Sequence, residues 1–324
     1  MAARILNGRP NMISLRLAAL VTLLAAGALN QAAAGCEPGR VELQMLGTRG
    51  PELLDGRAST GYLLWLDGRA RIIVDAGPGT VQRFEASGAD YRDVQLLLFT
   101  HFHVDHSADF AAYVKGGFFT DRSATLHVIG PSGTDFVSSA GEFVDRMVGP
   151  RGSVYPYLGN FVDPDATSAY KIDVRTLDWS LDDLSVRPVY SGDGYAVKAV
   201  PVHHGPFPAF GYRVEIAGCV ISFTGDMSGR LRQMPGLAKG SDILVAHNAI
   251  PEDAVGVPAR LHMTPSYIGK MAAEADVRHL LLTHLMRRTV DRKDETLRRI
   301  RAHYHGAVTF PDDLDVFRPE SPGT

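Results

Sequence analysis

The chain has 324 residues, 45% of them hydrophobic and 21% charged, which excludes a disordered or collagen-like protein and leaves ample material for a core. Lys and Arg number 33 against 36 Asp and Glu, a formal charge of −3, so no basic field advertises a nucleic-acid surface. Two cysteines exclude a disulfide framework or a four-cysteine zinc site, whereas twelve histidines are ample for metal or acid–base chemistry.

Residues 1–34 contain Arg4, Arg9 and Arg16 and no acidic residue, and an uncharged Leu- and Ala-rich run follows Arg16. A basic start, an apolar middle and small residues before position 35 predict a secretory signal peptide, cleaved after Ala34, and hence a periplasmic or secreted protein. Two alternatives stand beside it. The uncharged run approaches the ~17–25 residues of a membrane anchor. Ala33-Ala34-Gly35-Cys36 resembles a lipobox without its usual leucine, which would make Cys36 a lipid attachment point and the membrane a partner. Loss of residues 1–34 leaves 30 basic against 36 acidic residues, a charge of −6.

Strands are predicted at 41–46, 62–66, 71–74, 95–99, 126–129, 196–202, 210–216, 219–223, 243–246 and 279–282. Helices are predicted at 80–86, 108–118, 134–147, 265–275 and 292–303. The stretch 149–169, rich in Gly, Pro, Asp and Tyr, reads as a long surface loop. Alternating strands and helices argue for the α/β class, and two groups of strands flanking that loop predict one domain over 40–317 with two sheets.

The apolar run 96–99 ends at Thr100 and is followed by His101, His103, Asp105 and His106. Strand ends free side chains to converge, and imidazoles with a carboxylate suit zinc or iron better than calcium or magnesium. The string HFHVDH is similar to the HxHxDH motif of the metallo-β-lactamase superfamily. RIIVDAGPGT before it, and VPVHHGPFPAFGYRV, VISFTGDMSG and HLLLTHLMRR after it, stand in that family's order. The resemblance spans residues 41–317. It implies an αββα sandwich, two mixed sheets flanked by helices, with two zinc ions in a cleft at one edge.

Carried over by position, the resemblance assigns His101, His103 and His204 to a first ion, Asp105, His106 and His284 to a second, and Asp226 to a bridge. His204 is preferred to His203 because the family's ligand precedes a glycine and adjacent strand residues face opposite ways. Asp75 either caps the turn at Gly77-Pro78-Gly79 or hydrogen-bonds a ligand histidine, or both.

The opening QMLGTRGPELLDGRASTGYLLW, together with FGYRV and DILVAHNAI, resembles the ribonuclease Z/arylsulfatase-like branch. There, the histidine corresponding to His262 gives a proton to the leaving oxygen; the plainer reading makes it part of the helix start at Thr264-Pro265. His247 matches a histidine followed by a catalytic glutamate, replaced here by Asn248. The implied chemistry is hydrolysis: two zinc ions lower the pKa of a shared water, and Asp105 orients the resulting hydroxide. No GxSxG elbow supplies a serine nucleophile.

The expectation is therefore an exported, dinuclear zinc hydrolase of a small ester, with phosphodiesters and aryl sulfates first. A lactonase is an alternative, with Phe118, Phe119, Tyr155, Tyr157, Phe207 and Phe210 as an apolar pocket. A second is an endonuclease of the 3′-tRNA-processing type. Asn248, the leader and a 149–169 loop whose one basic side chain before Lys171 is Arg151 argue against it, and the basic run 287–301 reads as a solvated helix face. A third is a non-catalytic metal-binding protein, against which the full set of seven ligands stands. Related proteins often dimerise, so a homodimer is carried as an expectation.

Overall fold

All ten predicted strands form, and among the described residues four more appear where the sequence announces none. The computed structural model describes residues 1, 2 and 35–319; beyond its first two residues the leader, with its anchor alternative, lies outside the described residues. The strands are β1 Val41–Gly47, β2 Gly61–Leu66, β3 Arg69–Val74, β4 Leu96–Leu98, β5 Leu126–Pro131, β6 Ile172–Leu177, β7 Arg187–Gly192, β8 Tyr195–His204, β9 Phe207–Ile216, β10 Cys219–Phe223, β11 Ile243–His247, β12 His279–Thr283, β13 Ala307–Thr309 and β14 Val316–Phe317. They build two seven-stranded sheets in the orders β14-β1-β2-β3-β4-β5-β6 and β13-β12-β11-β10-β9-β8-β7.

The unannounced strands β6, β7, β13 and β14 are the four outer edges of the two sheets. Edge strands are kept short, charged or proline-bearing, which blunts unwanted pairing and also hides them from a search for apolar runs. β6 exposes Asp173, Arg175 and Thr176, β7 carries Pro188, and β14 is two residues long.

Alternation along the inner strands sorts side chains into three layers. Leu64, Ile72, Leu96 and Leu98 meet Val197, Ala199, Val245 and Leu281 between the sheets. Their neighbours Leu63, Ile73 and Leu97 face outward onto Phe84, Phe110 and Val144. Across the molecule Leu244, Ala246, Leu280 and Leu282 pack on Ile268, Met271 and Ile300. Both faces of each sheet are covered, so these strands are continuous apolar runs. This is the predicted αββα sandwich.

Two helix expectations shift. The one predicted over 134–147 is Ala140–Val148, because Ser139 and Glu142 form a capping box that fixes its start. The one predicted from 108 divides into Val104–Ser107, which begins inside the HFHVDH string, and Phe110–Phe118. The 149–169 stretch is only partly surface loop: it contains a 3₁₀ turn, Pro156–Phe161, that buries Leu158 and Phe161.

Cys36 has a structural partner. It is buried and disulfide-bonded to Cys219 at the start of β10, tying the segment before β1 to the second sheet. A lipid thioether would need the same sulfur that this disulfide uses.

β3 and β4 run parallel in one sheet, β10, β11 and β12 run parallel in the other. Their carboxyl ends gather at one edge of the sandwich, where loops leave the sheets and side chains can converge.

Candidate metal centre

Asp75 follows β3, His101 to His106 follow β4, His204 ends β8, Asp226 follows β10, His247 ends β11 and His284 follows β12. The ligand atoms of His101, His103, His204 and Asp226 all lie within 4.8 Å of one another, as do those of His106, Asp226, His247 and His284. Asp226 is common to both groups. Its Oδ2 is 3.6 Å from His204 Nε2 and 3.8 Å from His106 Nε2, and its Oδ1 is 3.4 Å from His284 Nε2. Asp105 stands beside the second group, with Oδ2 3.1 Å from His284 Nε2 and 3.5 Å from His106 Nε2.

The outer nitrogens fix which atoms face inward. His101 Nδ1 donates to Thr100 Oγ1 at 3.1 Å and His204 Nδ1 donates to the Leu261 carbonyl at 3.0 Å. Their Nε2 lone pairs must then point into the cluster, where they lie 3.0 and 3.4 Å from His103 Nδ1. A proton on His103 Nδ1 could serve only one of those two lone pairs, whereas a cation among the three nitrogens satisfies all of them. His106 Nε2 is likewise buried without a hydrogen-bond partner. Nitrogen-rich donors with carboxylates, all turned inward, fit a zinc-class ion.

Asp75 meets both sequence readings. It adopts a left-handed backbone, φ 59°, at the turn, and its carboxylate accepts from the Thr100 amide and hydroxyl, each at 2.8 Å. The same Oδ2 accepts from His106 Nδ1 at 2.8 Å, which sets that imidazole's tautomer and aim. His284 is also left-handed, φ 57°, and a Cβ on Gly50 would lie 2.7 Å from its ring. Only glycine at position 50 leaves that ring room.

His247 is engaged at both nitrogens. Nδ1 donates to Asp226 Oδ1 at 2.7 Å, and Nε2 accepts from the Tyr62 hydroxyl at 2.9 Å, which in turn accepts from Thr283 Oγ1 at 2.8 Å. Its imidazole therefore positions Asp226. Tyr62, Thr283 and Thr100 escape the sequence reading because each is one polar residue within or at the end of an apolar strand; Tyr62, in GYLLWL, carries the only hint. His262 caps the C-terminus of the helix Val257–Leu261, not the start of the next, which Thr264 caps. Its buried Nδ1 has no hydrogen-bond partner and lies 3.8 Å from Asp226 Oδ2.

Burial and the neighbouring imidazoles hold His101 well below the usual histidine value, and burial with His204 takes His103 down to about 4. Both present neutral lone pairs. Burial opposes the charged form of His106 too, but Asp105, Asp75 and Asp226 outweigh it and push it up to about 9. Burial alone would raise Asp226; His284 and His262 instead keep it well below the carboxylate range. The site is an anion wrapped in imidazoles.

His203 and His204 diverge as strand geometry requires: His203 Nδ1 meets Ser228 Oγ at 2.7 Å, away from the cluster. His203→Ala is expected to leave metal content unchanged and cost about 1 kcal/mol of stability. His204→Ala should lose bound metal and most turnover. Metal analysis and denaturant midpoints on both variants test this, and the reverse pattern would exchange their roles.

Residues 70–285 match the model of the beta-lactamase superfamily domain. The chain belongs to the beta-lactamase superfamily. Its similarity to ribonuclease Z of Mycolicibacterium paratuberculosis is 29% identity, over 87% of this chain and 99% of that protein. To ribonuclease Z of Mycobacterium sp. strain KMS it is 30%, over 76% of this chain and 84% of that protein. Human tRNase Z, short form, superposes with a TM-score of 0.67 at 20% identity, over 86% of this chain and 99% of that one. The metallo-beta-lactamase fold protein YhfI from Bacillus subtilis gives 0.66 at 18%, over 87% and 100%. As a superfamily member of the ribonuclease Z-like branch, the chain is a metal-dependent hydrolase.

The aromatic side chains separate. Phe210 is in the core between the sheets. Phe118, Phe119 and Tyr157 gather around the Lys115 ammonium, 4.3, 4.7 and 5.2 Å from their ring centres, and Tyr155 packs edge-on to Tyr157. Phe207 alone of the six meets the metal centre.

Proposed function

We propose that this superfamily member is an exported two-zinc hydrolase of small phosphate or sulfate esters. The observation that carries it is the placement of Asp226 between two sets of inward-facing donors, His101, His103 and His204 on one side and Asp105, His106 and His284 on the other. These are the residues that would hold the ions. Bound there, zinc supplies Lewis acidity toward the ester oxygen and a nucleophilic water at neutral pH.

The chain's own residues do the rest. Asp75 and Thr100 aim His106 and His101, while His247 and Tyr62 aim Asp226, so the donors are held before anything binds. The Asp105 carboxylate serves as acceptor for a proton of the attacking water. His262, with its unpartnered Nδ1 at the edge of the cluster, delivers a proton to the leaving oxygen. Burial holds that imidazole neutral, down to about 3, and an anionic substrate beside it favours its protonated form.

His262→Ala is expected to slow an alkyl ester by roughly 10²–10³-fold and an activated nitrophenyl ester by less than about tenfold, since only the poor leaving group needs the proton. Equal slowing of both would remove the assignment. Hydrolysis of bis(p-nitrophenyl) phosphate and p-nitrophenyl sulfate by zinc-loaded protein, and its loss on chelation, tests the proposal as a whole.

Export rests on the leader and on the Cys36–Cys219 bond, because disulfides persist in oxidising compartments. A second reading, an endonuclease of the ribonuclease Z kind, is favoured by the named mycobacterial relatives. Precursor tRNA in the same assay separates the two. The net negative charge and Asn248 weigh toward the small ester.

A further inference from the structure

The rim beside His103 is apolar. Phe207 packs edge-on against His103, ring centres 4.1 Å apart, and reaches His204 at 5.9 Å. Phe136 in turn stands edge-on to Phe207 at 5.9 Å and is 65% exposed. Val104, within the HFHVDH string itself, is 66% exposed. An aromatic side chain left this open next to a metal centre is not filling a core.

Both rings are held in place. His204 and Phe207 are a cross-strand pair closing the β8–β9 hairpin, whose two turn residues are Gly205 and Pro206. Gly205 takes φ 62°, the positive value that a type II′ turn needs at its first central residue. One tight turn therefore fixes the inward histidine and the ring beside it together. Phe136 lies in a turn where Thr134 Oγ1 accepts from the amides of Phe136 and Val137, and the Thr134 amide donates to the Val137 carbonyl.

We propose that Phe136 and Phe207 form an aryl-recognition wall, so that the substrates are aryl esters whose ring lies against Phe207 while the ester group sits over Asp226. The inference rests on the hydrolase reading and narrows its substrate class. A flat ring gains edge or offset contacts with both phenylalanines; an alkyl group of similar charge gains only burial.

The test is binding of phenylphosphonate against methylphosphonate to zinc-loaded protein, by calorimetry, alongside turnover of phenyl and methyl esters of one phosphate. The wild type should bind the phenyl compound about tenfold tighter. Phe136→Ala, at an exposed site that tolerates truncation, and Phe207→Leu, which keeps volume, should each reduce that ratio to about threefold or less with unchanged zinc content. Equal affinity for the two probes, no binding of either, or a ratio unmoved in both variants overturns the wall. Aryl-selective binding without turnover of any ester keeps the wall and sinks the small-ester proposal; turnover without aryl preference does the opposite.

Discussion

Asp226→Ala is expected to abolish two-ion binding and to lower ester hydrolysis on the order of 10³-fold, the ~4 kcal/mol associated with stripping the partner from a buried charge. The physical case is the crowding around this one carboxylate. It is buried, receives a hydrogen bond from His247 at 2.7 Å, and has His284, His204, His106 and His262 nitrogens between 3.4 and 3.8 Å. Without the anion those imidazoles face one another across an empty centre, and each cation placed there would lose a shared negative ligand. Metal content by mass spectrometry and turnover are the two readouts. Asp226→Asn adds a control, because it keeps the shape and the contact to His247 while removing the charge. Full zinc occupancy and activity in the alanine variant would overturn the bridging role.

Breaking the Cys36–Cys219 bond should produce the other large effect, on stability alone. The bond closes a loop with a sequence separation of 183. Constraint of the unfolded chain over such a loop is worth about 5 kcal/mol in the chain-entropy account, which for a domain of this size corresponds to roughly 8 °C in Tm. Cys219 starts β10 and Asp226 lies past its far end, so the sulfurs and the metal centre are separated by the strand's length, roughly 17 Å. Cys36→Ser is therefore expected to lower the urea midpoint strongly and leave zinc content and the phenyl-to-methyl ratio as in the wild type. Coincident urea curves for the oxidised protein and the variant would show that the bond adds nothing. Mass analysis of the purified protein should find no free thiol and no lipid on Cys36; a lipid there would refute the disulfide.

How much of this was legible beforehand follows from what each signal depends on. Inner strands are apolar on both faces because helices cover both sheets, so 71–74, 95–99 and 243–246 declare themselves without tertiary information. The edge strands do not: a charged or proline-bearing segment such as Ile172–Leu177 or Arg187–Gly192 becomes a strand only because a neighbour offers it a ladder. The three histidines and one carboxylate of HFHVDH, and the residues carried over by family resemblance, could be named from the string, since metal ligands must be particular residue types at strand ends.

Orientation could not be read that way. Which of His203 and His204 faces inward depends on the register of β8 against β9 and the turn at Gly205. That His247 steers Asp226 depends on Tyr62, a residue 185 positions away that arrives only when the two sheets close on each other. The pairing of Cys36 with Cys219 has the same origin, as does the nearness of Phe136 to Phe207. Residue chemistry is local and written in the chain, whereas a hydrogen bond or a ring contact between distant positions exists only once packing has brought their backbones within a few ångströms.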